Sequence, residues 1–424
     1  MADPGMSVTP YWELTFDADG DVDGPERDRL LAQVTDRDVR DLIVFAHGWN
    51  NDRSGATALY RRFYAPIPKL APKARIGYVG VIWPSMRFCD EPIPDFPSAA
   101  PALAAGPALD PDTRRALLTA FPDRAEQLDR LARMLDEQPD GEQGLARFGQ
   151  LVRQLVGAAP PLAAADTSQP GEPLMFSGDT VTACEEFAAA LTGPHPEFSL
   201  PNPWEGAKEL LRQATYYMMK RRAGTVGEHG LGSFVGQLAQ AAPGVRVHLV
   251  GHSFGGRLVA FALRGLPGGV RTVKSVTLLQ GAFSHYAFAA RLPGDPDTAG
   301  ALKDLQKRID GPLVCCYSHF DGALGTFYPL ASRLAGDDHS VLGVDVAGVL
   351  GPEWGAMGHD GVQAVPGTAK LDLAAALNGA LPGSGCVNVD AAAVVRAGGP
   401  PSGAHSDIVH PELARVVLAA GRIV

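Results

Sequence analysis

The five residues Gly251-His252-Ser253-Phe254-Gly255 set a serine between two glycines at the spacing of a nucleophile elbow. A serine that attacks a carbonyl carbon must stand on a sharp turn between a strand and a helix, and glycines two positions to either side let those elements approach closely. The helix N-terminus then lies under the reacting atom, where its positive end and the Phe254 N–H favour the negative oxygen of a tetrahedral intermediate. A serine hydroxyl also needs a histidine base, itself oriented by a carboxylate. Beyond the elbow, Asp321 directly follows an apolar run at 313–320 and precedes Gly322, a loop position at a strand end. Asp337, Asp338 and Asp345 are its rivals as the acid. His405 lies in the glycine-flanked segment Ser402-Gly403-Ala404-His405, ahead of a helix pattern at 411–420. Its rival His410 reads as a helix-entry residue, because Pro411 follows at the first helical turn.

Upstream, the apolar run 42–46 leads into His47-Gly48-Trp49-Asn50-Asn51. Gly48 frees the backbone to turn, the Trp49 N–H is expected to point at the nucleophile as a second oxyanion donor, and His47 is expected to order that turn. With 49 glycines in the chain, G-x-S-x-G arises easily by chance, so the flanking elements carry the weight. Residues 245–250 are apolar and β-branched and follow Pro243-Gly244, the pattern of a buried parallel strand. Phe254, Leu258, Phe261 and Ala262 then recur at helical spacing. Strand patterns at 11–16, 76–83, 273–280 and 313–317 complete an α/β alternation, which predicts a doubly wound, mostly parallel sheet.

Taken in order, segment 42–51, the strand end Trp83-Pro84-Ser85 and the 251–256 elbow resemble the α/β-hydrolase superfamily of serine hydrolases. The likeness is to bacterial members of unassigned substrate that carry H-G-[FW]-N, W-P-S and H-S-x-G segments. It covers roughly 11–87 and 204–424. The resemblance implies a triad in the chain order Ser253, Asp321, His405, an oxyanion hole from the Trp49 and Phe254 amides, and structural roles for His47, Gly48, Gly251 and Gly255. It also implies cleavage of a small-molecule carboxylic ester with neither metal nor organic cofactor. Amide, thioester and lactone hydrolysis use the same machinery. A non-catalytic binding protein on this fold is the reading from another class; a lost triad residue would betray it, and here all three residue types are present in order.

Residues 1–88 and 204–424 are thus read as the two parts of the core, and 89–203 as a helical insertion. Pro/Ala-rich connectors at 91–110 and 158–173 frame two apolar stripes, Leu128, Leu131, Leu135 and Leu145, Phe148, Val152, Leu155. The insertion leaves the strand that ends at 83–85, on the edge expected to carry Ser253. It is therefore expected to cap the site with its second stripe turned partly toward the nucleophile, with peripheral packing as the alternative. Residues 204–240 read as helices, and Lys220-Arg221-Arg222 as a solvated helix end.

The remaining features narrow the chemistry. A net charge of −10 argues against nucleic acid or an anionic membrane as the main partner, and no apolar segment reaches spanning length. The five cysteines, Cys89, Cys184, Cys315, Cys316 and Cys386, include no C-x-x-C pair and fit free thiols. The first residues lack a basic region followed by an apolar run, and a cytoplasmic location is expected. Asp19, Asp21, Asp23 and Gly24 imitate the front of a calcium loop, but Leu30 stands where its glutamate belongs, so a turn is expected. His285, His319, His339 and His359 show no metal-ligand spacing, and there is neither a phosphate loop nor a dinucleotide fingerprint. Acyl group, alcohol and oligomeric state are left open.

Overall fold

The computed structural model describes residues 5–49, 51–86, 108–156, 179–192, 202–293, 295–324, 355–399 and 403–423. Eight strands form one parallel sheet: β1 (Tyr11–Thr15), β2 (Asp41–Ala46), β3 (Ile76–Ile82), β4 (Arg246–His252), β5 (Val273–Leu279), β6 (Pro312–Tyr317), β7 (Ala369–Asp372) and β8 (Gly385–Asp390). Their order across the sheet is β1-β3-β2-β4-β5-β6-β8-β7. The longer helices are α1 (Gly24–Asp36), α2 (Arg53–Tyr64), α3 (Pro111–Ala120), α4 (Ala125–Glu137), α5 (Glu142–Val156), α6 (Thr180–Thr192), α7 (Pro203–Thr225), α8 (Gly232–Ala241), α9 (Phe254–Gly265) and α10 (Pro411–Gly421).

Every residue of β2 and β3 is buried, as expected of parallel strands covered on both faces. Alternation along β2 sorts the core in two. Leu42, Val44 and Ala46 face one apolar cluster with α1, α5 and α7 to α9, while Ile43 and Phe45 face another with α2 and α10. This α/β architecture agrees with the sequence pattern, except that β7 and β8 carried too little apolar signal to be foreseen. Ala-Lys-Leu-Asp in β7 is a four-residue edge strand with no buried residue.

The acidic segment after β1 is a loop held by its own carboxylates. Asp17 Oδ1 accepts the Asp19 and Asp21 amides, and Asp23 caps α1 through the Glu26 N–H. Cys184, Cys315, Cys316 and Cys386 are free and buried, and adjacent Cys315 and Cys316 face opposite sides of the sheet. Among the described residues no helix is long and apolar enough to cross a membrane.

Within the inserted stretch, α3 to α6 join the same cluster as α9, with no core of their own. The helices α6 and α7 meet backbone to backbone: a Cβ on Gly206 would stand 1.7 Å from the Cys184 carbonyl oxygen. Phe148, fully buried, meets Trp204 edge to face at 5.8 Å, and Leu155 is 3% exposed. The stripe expected to turn toward the nucleophile is therefore buried in the main core cluster, where Phe148 packs on α7. A side chain buried in a helix interface offers no free wall to a ligand. The connectors 91–110 and 158–173 fall almost wholly outside the described residues.

Residues 220–222 also depart from expectation, because α7 does not end there but runs on into a π-helical turn at Val226–Leu231. Arg222 is half-buried and donates to the Pro84 carbonyl at 2.6 Å and the Ala120 carbonyl at 3.3 Å. Burial lowers its pKa from the ordinary value. It ties α7 to the strand end 83–85 instead of standing in solvent.

Candidate active site

The elbow is built by close backbone approach at the carboxyl end of β4. A Cβ on Gly251 would lie 2.2 Å from the Gly255 carbonyl oxygen, and one on Gly255 would lie 2.0 Å from that of Ala46. Any larger residue at either site would push α9 off the sheet. Ser253 between them adopts φ 55° and ψ −122°, a conformation that side-chain-bearing residues avoid and that surrounding structure must impose. Its N–H donates to the Leu279 carbonyl, and its own carbonyl accepts the Gly256 and Ala282 amides. The turn is thereby pinned to β5 and to the first turn of α9.

The two distant candidates meet it. His405 Nδ1 lies 2.8 Å from Asp321 Oδ2, and His405 Nε2 lies 2.9 Å from Ser253 Oγ. Because the carboxylate only accepts, Nδ1 carries the proton and Nε2 accepts the serine hydroxyl. Asp321 is fully buried, and its other oxygen accepts the Leu324 N–H at 3.0 Å. The loops carrying Asp321 and His405 are joined by an Ala404 N–H to Phe320 carbonyl hydrogen bond. His410 stands at the N-cap position of α10, as its place before Pro411 suggested, and its Nε2 lies 2.8 Å from Asp407 Oδ1. The rival acids Asp337, Asp338 and Asp345 lie outside the described residues.

The loop after β2 closes over the elbow. A Cβ on Gly48 would stand 2.8 Å from Ser253 Cβ, so only glycine lets the chain cross there. His47 orders this crossing from every side. Its N–H donates to the Tyr60 hydroxyl, which in turn donates to the Val81 carbonyl. The His47 ring stacks on Trp83 at 5.5 Å, and its carbonyl accepts the Trp83 indole N–H at 2.9 Å. Ser85 completes the tie by donating to the Asn51 carbonyl. The Trp83-Pro84-Ser85 strand end thus holds the segment that carries Gly48 and Trp49. Phe254 is the first residue of α9, where backbone amides point out of the helix without intrahelical partners.

The chain matches no protein-family model, no curated protein and no solved structure. The chemistry of these side chains must therefore carry the functional argument.

His252, next to the serine in the elbow, also takes part in the site. Its Nε2–H donates to the His405 carbonyl at 2.8 Å, bracing the loop that carries the base. Nothing in the sequence signalled this, since the contact joins residues 153 apart. Burial lowers the His252 pKa to about 3, with neighbouring His405 adding to the effect, and burial lowers that of His47 to about 4. Both rings are neutral at physiological pH.

A second Ser-His-Asp chain was also missed. Ser275 donates to His248 Nδ1 at 2.9 Å, and His248 Nε2–H donates to Asp41 at 3.0 Å, with Arg246 ion-paired to the same carboxylate. Asp41 opens β2 and Ser275 is the third residue of β5, so this chain sits toward the amino ends of the strands, and Ser275 is 1% exposed. It cross-links β2, β4 and β5, and all three of its side chains are buried. Ser275→Ala is expected to leave any turnover that depends on Ser253 within a few-fold of the parent while costing about 1–3 kcal/mol of stability, measured by urea unfolding. An inactive but folded Ser275→Ala would move the assignment to this chain.

A further pair, His285 Nδ1 on Asp360 at 2.8 Å, places its histidine in the loop after β5. Among the described residues no group of three His, Cys, Asp or Glu side chains could hold a metal ion.

The buried histidines make stability depend on pH in a defined direction. Burial depresses the pKa of His47, His252 and His248, so the unfolded chain, with histidines near 6.5, binds protons that the folded state refuses. Their contribution is fully present above pH 6.5 and is lost as pH falls toward about 4 and then about 3. His47 alone accounts for a loss on the order of 3 kcal/mol. Denaturant unfolding at pH 7, 6, 5 and 4 should show this decline, with a shallower slope in His252→Gln. Equal slopes in the two proteins would remove His252 from the account.

Proposed function

We propose that this chain is a serine hydrolase of the α/β-hydrolase fold that cleaves a carboxylic ester through an acyl-enzyme. The observation that carries the reading is the unbroken hydrogen-bond chain Ser253 Oγ to His405 to Asp321 at the carboxyl edge of the sheet, with the serine held at φ 55° on a helix N-terminus. Holding a serine in so strained a conformation within hydrogen-bond reach of an imidazole serves attack on an electrophile and little else in packing terms.

In this reading Ser253 Oγ attacks the ester carbonyl as His405 Nε2 takes its proton. Asp321 holds the imidazolium that forms, and its burial makes that interaction strong. The carbonyl oxygen becomes an oxyanion that accepts the Trp49 and Phe254 N–H groups, with the positive end of α9 beneath it. His405 then protonates the departing alkoxide, water attacks the acyl-enzyme by the same route, and Ser253 is regenerated. Each step uses groups of this chain alone.

Labelling by a fluorophosphonate probe tests the reading. One equivalent should attach to Ser253, located by peptide mass, and the label should block hydrolysis of p-nitrophenyl acetate. A protein that neither labels nor hydrolyses any member of an ester, thioester and lactone panel is a binding protein on this architecture.

A further inference from the structure

Both proposed oxyanion donors are backbone amides, so their aim depends on what fixes the residues that bear them. Phe254 is anchored by the start of α9 and is fully buried, but Trp49 lies in the loop after β2 and is half-buried. Asn51 Nδ2 donates to the Trp49 carbonyl at 3.2 Å, which holds one end of that residue. At the side-chain end stands Tyr216, on α7. Its ring lies 4.4 Å from the Phe254 ring at 44°, and 5.4 Å from the Trp49 ring at 90°; Trp49 and Phe254 are 6.3 Å apart at 61°. These separations and angles are those of favourable tilted and edge-to-face ring pairs. One tyrosine therefore touches the rings of both residues whose amides are the proposed oxyanion donors.

From this geometry we infer that Tyr216 is a positioning residue for the oxyanion hole, wedging Trp49 against Phe254 so that the two amides converge. The inference rests on the serine-hydrolase reading above. Tyr216 acts through the two rings and touches no reacting atom, so its effect belongs to the transition state and not to substrate affinity. It also gives the inserted helices a part in catalysis. They pack on α7 through contacts such as Phe148 on Trp204, and α7 delivers Tyr216 to the site.

The test compares the parent with Tyr216→Phe and Tyr216→Leu on p-nitrophenyl acetate and octanoate. Phe keeps the ring and should keep kcat. Leu should lower kcat roughly 10- to 100-fold on both esters, less than loss of a whole donor, with KM nearly unchanged. Affinity for a trifluoromethyl ketone, which forms the tetrahedral adduct, should fall by the same factor. A Leu variant with parental kcat overturns the inference, and so does a loss confined to octanoate, which would make Tyr216 an acyl-pocket wall. Packing is read without activity: the Trp49 fluorescence, taken as the difference between each protein and its Trp49→Phe counterpart, should become more open to acrylamide in Tyr216→Leu but not in Tyr216→Phe. Unchanged quenching also overturns it. An inactive, unlabelled parent would instead refute the hydrolase reading, and the quenching experiment would still judge the wedge.

Discussion

Ser253→Ala is expected to lower turnover of p-nitrophenyl esters by about four to six powers of ten while the thermal midpoint stays within a few degrees of the parent. The size follows from the geometry. The hydroxyl removed lies 2.9 Å from His405 Nε2, and without it neither the acyl-enzyme nor its proton transfer exists. Stability should change little, because the strain at φ 55° belongs to the backbone and alanine inherits it. Steady-state kinetics and a melting curve on the same preparation check both halves. Retention of a tenth of the parental activity would mean that another group is the nucleophile.

His405→Ala should match that loss, and Ser253→Ala/His405→Ala should lose hardly more than either alone, because nucleophile and base act as a unit. Asp321→Asn should cost about 10⁴ in kcat, since the amide can present a donor to Nδ1 and fix the wrong tautomer. His410→Ala, which removes the Asp407 partner at the start of α10, should remain active. Single-turnover kinetics on all four proteins separate these outcomes. A dead His410→Ala with its fold intact would shift the base to the start of α10, and a fully active Asp321→Asn would take the acid away from the loop after β6.

What was legible beforehand was what local chain geometry dictates. The elbow spans five consecutive residues between a strand and a helix, so its glycines, its serine and the Phe254 amide are decided within one turn of chain. The buried strands β2 to β6 announced themselves through apolar runs, because a strand covered on both faces has no polar side to confuse the pattern. Asp321 and His405 were candidates by order and loop context alone; their meeting spans 84 residues and only folding decides it.

The tertiary structure decided everything that depends on which surfaces touch. Amphipathic periodicity shows that Phe148 and Leu155 are buried, but not by what, and for Phe148 the partner proved to be Trp204 on α7. A basic run looks the same in solvent as when its last arginine reaches two carbonyls on other elements. Short β7, the polar contact of His252 and the ring contacts of Tyr216 left no periodic trace, because a residue facing a distant partner makes no pattern along the chain. The two Ser-His-Asp chains make the point most sharply: Ser253 and Ser275 both belong to complete sets of residue types, and what separates them is depth along a parallel strand, carboxyl edge against amino end, which is a property of the sheet and not of the letters.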